Sequence, residues 1–326
     1  MAKKVYADQI AEHFTKTLES TFLLKEITRR ETRESKKQFY DILLQDSAGI
    51  LRGTIWEELM EEGHEALKGK IVSVKALVTK DDQGAFRLVI RRMEEAEDFL
   101  MADYINGLTE EESSRYREIL WKYINSIKND GYRYLVSSIF QDIPQLEKLP
   151  ATLKGHHNFS GGFLVYTASV TCLANYMLYS LSHYNMSPSC HIPYQADLLT
   201  AGALLHAVGT VEKYTPSPDM RRIPESIPLT RYELSMQYIQ SAIDRYREVE
   251  IGGEERNLLL HMVGCVYENT ERKPMLREAV ILKDAVQLHE QTALLEHFIH
   301  ENKGKSGVVF DQVLGNYIYV PKEEGI

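Results

Sequence analysis

At 326 residues, with 44% hydrophobic and 26% charged side chains, the chain is long enough for two domains with real cores and is not of disordered composition. A net charge of −9 excludes a protein that coats nucleic acid with its whole surface, while a local basic groove on an acidic body stays open. No apolar run reaches the roughly 20 residues that cross a bilayer, and the opening MAKKVYADQIAEHF lacks a signal-peptide h-region, so the expectation is a cytoplasmic protein with no membrane partner.

Residues 1–21 read as an N-terminal extension. From 22 to 97 the grammar is that of strands and turns. Leu23–Arg30 leads, and Gln38–Gln45 follows with Tyr40, Ile42 and Leu44 on one face and Phe39, Asp41 and Leu43 on the other. Asp46–Gly49 forms a turn into Ile50–Trp56, a short helix fits Glu57–Leu67, and Gly69–Val78 and Ala85–Arg92 complete five strands. That order matches a small all-β Greek-key barrel of the OB type.

The first inter-strand connection, Arg29–Lys37, holds five basic and two acidic residues in nine positions, a rim suited to backbone phosphates. Arg29, Arg30, Arg33, Lys36 and Lys37 are its candidate contacts. Outward alternation adds Arg52 and Trp56 on the third strand and Arg87 and Arg91 on the fifth, leaving Phe86, Leu88 and Ile90 for the core. Phe39 and Trp56 offer stacking surfaces for bases. The competing reading is a solvated basic edge that only blocks aggregation.

Beyond Asp98 the period becomes helical nearly to the end, with 98–150 read as a helical linker region and 151–326 as an all-α domain. Helices fit 116–127, 164–181, 196–205, 231–247, 254–266 and 276–299, with one long proline-bearing loop at Thr215–Thr230. Within this half, "GHHNFSGGFLVYTASV" puts His156 and His157 before a Gly161-Gly162 pair. On a helix their side chains would diverge by about 100°, whereas a turn could bring them together. His289, His297 and His300 read as a polar face of a late helix. Cys172, Cys190 and Cys265 have neither zinc-site spacing nor an even number for a disulfide framework, and both Cys172 and Cys265 sit in apolar helical patterns where a buried thiol is expected.

The order of pieces resembles the YhaM-type 3′-to-5′ exoribonucleases, in which an OB domain precedes a helical HD-type phosphohydrolase domain. The resemblance runs through the barrel, the "HH…GG" entry, "AGALLHAVG", "LLLHMV" and the closing "VVFDQVLGNYIY". It implies a metal site, yet the positions carried over from the family hold the wrong side chains. The metal-binding His after the Gly pair falls on Tyr166, the His-Asp dyad on His206-Ala207, and the following Lys on Thr210. A later His falls on Arg231, a His-His pair on Val266-Tyr267, and the last Asp near Val286.

One surviving ligand, His206, cannot hold an ion and leave a position for water. The resemblance therefore implies a vestigial centre (His206, Ala207, Tyr166, Arg231) with no metal and no cofactor, and no confident catalytic residue. Two fates for the vacated place stay open: an anion pocket built by His156, His157, His206, Arg231 and Tyr267, or simple filling by core side chains. The leading expectation is a protein that binds single-stranded RNA or DNA and is not catalytically active. The alternatives are an exonuclease or phosphodiesterase using Mn or another divalent metal on His156, His157, His206 and Asp284, and an adaptor that assembles with protein partners or with copies of itself.

Overall fold

In a computed structural model, residues 3–32, 36–61, 63–81, 83–153, 155–184, 192–247, 250–266, 273–302, 304–312 and 314–322 are described. The chain divides into two compact units, Met1–Gly107 and Leu108–Ile326.

The first unit is a closed five-stranded barrel formed by β1 (Thr17–Glu31), β2 (Gln38–Asp46), β3 (Gly49–Trp56), β4 (Ile71–Lys80) and β5 (Phe86–Glu95). Their order around the barrel is β1-β2-β3-β5-β4, with β3 and β5 parallel and the other pairs antiparallel, which is the OB arrangement. β1 is longer than its apolar pattern suggests. A register shift between Leu24 and Glu26 lets its first half pair with β4 and its second half with β2, the usual work of a bulge in re-aiming a strand at a barrel corner. Alternation then puts Phe22, Leu24, Ile42, Leu44, Ile55, Leu88 and Ile90 inside. Gly53 shares that inward phase because a Cβ there would lie 2.8 Å from Ile90 Cδ1.

Three expectations need correction here. The helix expected at Glu57–Leu67 is instead two 3-10 turns, Glu57–Leu59 and His64–Leu67, separated by Gly63 at φ +99°, a left-handed conformation that interrupts a helix. Residues 1–21 are no separate extension. Val5, Ala7 and Ile10 lie in the barrel core, and the Lys3 ammonium is buried 3.1 Å from the Asp46 carboxylate and 3.9 Å from the Phe22 ring centre. Burial lowers the pKa of that lysine, and Asp46 opposes the shift. The linker drawn at 98–150 also divides: Tyr104 is fully buried in the barrel unit, its hydroxyl 2.6 Å from Thr21 Oγ1.

The second unit is helical. It contains α1 (Glu110–Ser126), α2 (Asp130–Asp142), α3 (Gly162–His183), α4 (Ala196–Leu205), α5 (Thr210–Lys213), α6 (Arg231–Arg245), α7 (Gly253–Gly264) and α8 (Arg277–Glu301). Thr109 and Thr230 cap α1 and α6, each accepting from the backbone N–H three residues on and receiving a glutamate in return. Leu120, Ile124, Leu135 and Ile139 from α1 and α2 share one core with α3, α4, α7 and α8, so residues 108–150 are part of this domain. The helical pattern stops short of the end: β6 (Gly307–Asp311) and β7 (Asn316–Val320) form a two-stranded hairpin against α8. Cys265 is buried as expected, but Cys172 is exposed because it lies on the solvent side of α3. Among the described residues, no helix is long and apolar enough to cross a membrane.

Candidate functional site

On the barrel, strand pairing puts Phe39 opposite Trp56, Asp41 opposite Thr54, and Arg52 opposite Arg87. Because these residues share the outward phase of β2, β3 and β5, the sheet gathers them on one face. Phe39 and Trp56 meet edge to face at 6.0 Å, and Trp56 keeps 37% of its surface exposed. Beside them three arginines converge on one carboxylate: Asp41 lies 3.0 Å from Arg87, 3.5 Å from Arg30 and 3.9 Å from Arg52. Arg87 also donates to Thr54 Oγ1 at 3.3 Å. Arg91 is exposed where β5 gains an extra residue against β4.

Arg30, Phe39, Arg52, Trp56 and Arg87 are thus brought together. Lys36 and Lys37 stand exposed in the β1–β2 connection, and Arg29 is tied to Glu57. Arg33 lies outside the described residues. The outward phase of Arg52, Trp56, Arg87 and Arg91 was readable from alternation. Asp41's place among the arginines was not, since pairing across three strands sets it.

In the helical unit, the Gly-Gly pair performs a definite task. Gly161 has φ +89°, and a Cβ on Gly162 would lie 2.1 Å from the His157 carbonyl oxygen. The pair therefore allows the His156-His157 turn to lie against the start of α3, with Ala151 N–H donating to the same carbonyl at 3.0 Å. The turn faces Tyr166 of α3, His206 at the end of α4, Arg231 at the start of α6, and His289 and Glu290 of α8. The Tyr166 ring lies among four imidazoles, its centre 5.0 Å from His206, 5.3 Å from His156 and 5.7 Å from both His157 and His289. Its hydroxyl donates to Glu290 Oε1 at 2.6 Å. Arg231 donates to the same oxygen at 2.8 Å and to the Tyr232 hydroxyl at 3.1 Å.

The electrostatics follow from burial and this one ion pair. Desolvation pushes His156 down to about 4 and His157 and His206 to about 3, and lowers His289 as well, so all four are neutral near pH 7. His206 Nδ1 lies 2.7 Å from the Ala203 carbonyl, which requires the proton on Nδ1 and leaves Nε2 buried without a partner among the described residues. For Glu290 burial opposes the charge, but Arg231, the Tyr166 hydroxyl and His156 outweigh it and hold the carboxyl below its ordinary range.

The anion pocket expected from His156, His157, His206 and Arg231 is gathered but not open. Arg231 is already paired with Glu290, and Tyr267 lies outside the described residues. Val266, Val286 and Ala207 are core, and Asp284 is exposed. Nor does the donor set fit a metal. Among the described residues no group of three His, Cys, Asp or Glu side chains converges to hold an ion, and the Tyr166 ring stands between His206 and the other imidazoles. His289 belongs to this cluster and not to a polar helix face. His289 and Glu290 were legible in principle: they continue the Leu282, Ala285, Val286 stripe at helical spacing, a polar pair in a core phase.

Neutral buried histidines make stability depend on pH. His156, His157 and His206 ionise near 6.5 when unfolded but only at about 3 to 4 when folded, so the unfolded chain binds more protons as pH falls below 6.5 and stability drops. Each contributes a slope approaching about 1.4 kcal/mol per pH unit. Thermal melting should therefore decline between pH 6.5 and 5, above the main range of carboxylate titration, and His157→Gln should flatten the decline. A melting temperature constant across that window would contradict the cluster's burial.

No protein-family profile matches the chain. The chain is similar to the 3'-5' exoribonuclease YhaM of Oceanobacillus iheyensis, with 22% identity over 267 residues, 80% of each chain. Among solved structures, the second OB-fold domain of replication protein A from Methanococcus maripaludis covers 31% of this chain and 99% of its own, at 22% identity and a TM-score of 0.21. Asparaginyl-tRNA synthetase from Pyrococcus horikoshii covers 76% of this chain and 62% of its own, at 13% identity and a TM-score of 0.24. Superpositions of that quality bear on neither mechanism nor ligand. By sequence, then, the chain is similar to a 3'-5' exoribonuclease over most of its length.

Proposed function

We propose that the chain is a single-stranded nucleic-acid-binding protein whose barrel carries the binding face and whose HD-like helical unit does not hydrolyse. The observation that carries this reading is the outer face of β2, β3 and β5, where an exposed aromatic pair lies beside arginines fanned around Asp41. Stacking on aromatics beside a cationic track suits a flexible single strand better than a rigid duplex, because the bases of a single strand are free to turn onto the rings. Likeness to an exoribonuclease supports a nucleic-acid ligand. Non-catalysis is supported by chemistry at the cluster: a guanidinium stays protonated and cannot generate hydroxide, and the place between the imidazoles is occupied by a phenol ring.

Labelled single-stranded RNA and DNA oligonucleotides test both halves of the proposal. Binding measured by fluorescence anisotropy should weaken steeply with salt, and incubation with manganese should release no nucleotides from a labelled 3′ end. Ala207→Asp should confer no trimming, since one carboxylate does not move Tyr166 or Arg231. Manganese-dependent trimming by the unmodified chain, abolished by His206→Ala, would establish the enzymatic reading instead. Elemental analysis of the same preparation should find no stoichiometric transition metal.

A further inference from the structure

The closing hairpin is built on a strict division of faces. Ile318 and Val320 pack with Phe298 of α8, and Val309 and Ile299 lie against them. The alternate positions form two cross-strand pairs on the other face, Val308 with Tyr319 and Phe310 with Tyr317. These four are left open to solvent, at 68% for Val308, 64% for Tyr319, 50% for Phe310 and 68% for Tyr317, and the Phe310 and Tyr317 rings touch at 5.0 Å. Among the described residues β6 and β7 pair only with each other, so both edges of the sheet are free. A two-stranded sheet with one wet aromatic face is marginal by itself.

We infer that this face is a self-association surface, docking on the same face of a second copy of the chain. Charge selects the occupant. From Gly307 to Val320 the sequence contains no Lys or Arg and a single acidic residue, Asp311, on a chain of net charge −9. Between Lys305 and Lys322 the hairpin has no cation of its own to neutralise phosphates, whereas an identical uncharged face lets two acidic molecules meet where they repel least. Two-fold docking also matches each cross-strand pair with its own copy. From the exposures above, the four side chains offer roughly 450 Å² per copy, or about 900 Å² for the pair. That falls below the ~1,200 Å² at which stable complexes begin, so the dimer is a weak, reversible one.

Sedimentation velocity of the full chain, from about 1 to about 200 μM, reads this directly. The weight-average mass should rise from monomer towards dimer. Tyr317→Lys and Tyr319→Lys should each hold it at monomer throughout, because each two-fold contact then opposes two ammonium groups. Tyr176→Lys, at an exposed tyrosine of α3, should leave the association unchanged. If a lysine variant also lowers the melting temperature, Tyr317→Ser replaces it and should weaken the dimer at least tenfold. A monomeric wild-type chain at every concentration overturns the inference, and so does a dimer that survives the hairpin variants. Loss of oligonucleotide affinity in those variants with no change in mass would assign the face to nucleic acid and overturn it equally.

Discussion

Trp56→Ala should weaken single-strand binding by about 5- to 150-fold, the ~1–3 kcal/mol that one base stacked on an aromatic ring contributes. The indole is the most exposed large ring on the barrel's arginine-bearing face, and Phe39 meets it edge-on, so truncation removes a platform that is already held in place. The arginines act by a different route and leave a different signature. Replacing Arg52, Arg87 and Arg91 together with glutamine should flatten the log-log dependence of affinity on salt by about 0.7 for each phosphate no longer neutralised. Trp56→Ala should leave that slope intact. Lys70→Gln, which removes a cation paired with Glu95, is the matched control and should change neither quantity. Anisotropy titrations at several salt concentrations separate the two effects. Unchanged affinity and slope in both Trp56→Ala and the triple variant would remove the binding site from this face.

Glu290→Gln should lower the stability of the helical unit by about 3–5 kcal/mol, the cost of leaving a buried cation without its partner. Arg231 keeps only 11% of its side chain exposed, so water cannot solvate the abandoned guanidinium, while Glu290 at 24% has some access and pulls the expectation to the lower end. For a unit of this size each kcal/mol shifts melting by roughly 2–4 °C, so the transition should drop by about 6–20 °C. Arg231→Met combined with Glu290→Leu should recover most of the loss, because a buried ion pair and a well-packed apolar pair differ little in net stability. Tyr166→Phe, which removes one hydrogen bond to a charged acceptor, should cost about 1.5–3 kcal/mol. Calorimetry of the four proteins decides it. A Glu290→Gln variant as stable as wild type would mean that Arg231 does not depend on Glu290.

The barrel was largely legible in the sequence because alternation along β2, β3 and β5 encodes both faces at once. What escaped there was set by geometry across strands or by side chains outside them. The burial of Val5 and Ile10 is one case, since the 3-10 helix Ala7–His13 is too short to show a period. The convergence of Arg30, Arg52 and Arg87 is another. In the helical unit the departures at Tyr166, Ala207 and Arg231 were visible position by position, yet what occupies the centre was not. Glu290 stands four residues beyond Val286, and its meeting with Arg231 and Tyr166 depends on the packing of three helices far apart in sequence. The closing hairpin is the departure from an all-α domain, and its signal is the alternation of valines, isoleucine and aromatic residues on either side of Gly315-Asn316.

Asp41 has a consequence for how the barrel behaves before any ligand arrives. On a chain with nine more negative than positive charges, exposed arginines on flexible stems are apt to fold down onto their own acidic surroundings. A half-buried carboxylate at the middle of the fan holds Arg30, Arg52 and Arg87 at a single address on the sheet. On the proposed function, an incoming phosphate inherits arginines already gathered but must compete with one fixed anion, and casual polyanions that cannot also stack a base gain little from the exchange. Asp41 on that proposal works as a selectivity filter: it opposes every polyanion alike and is outcompeted only by those that bring rings as well as charge.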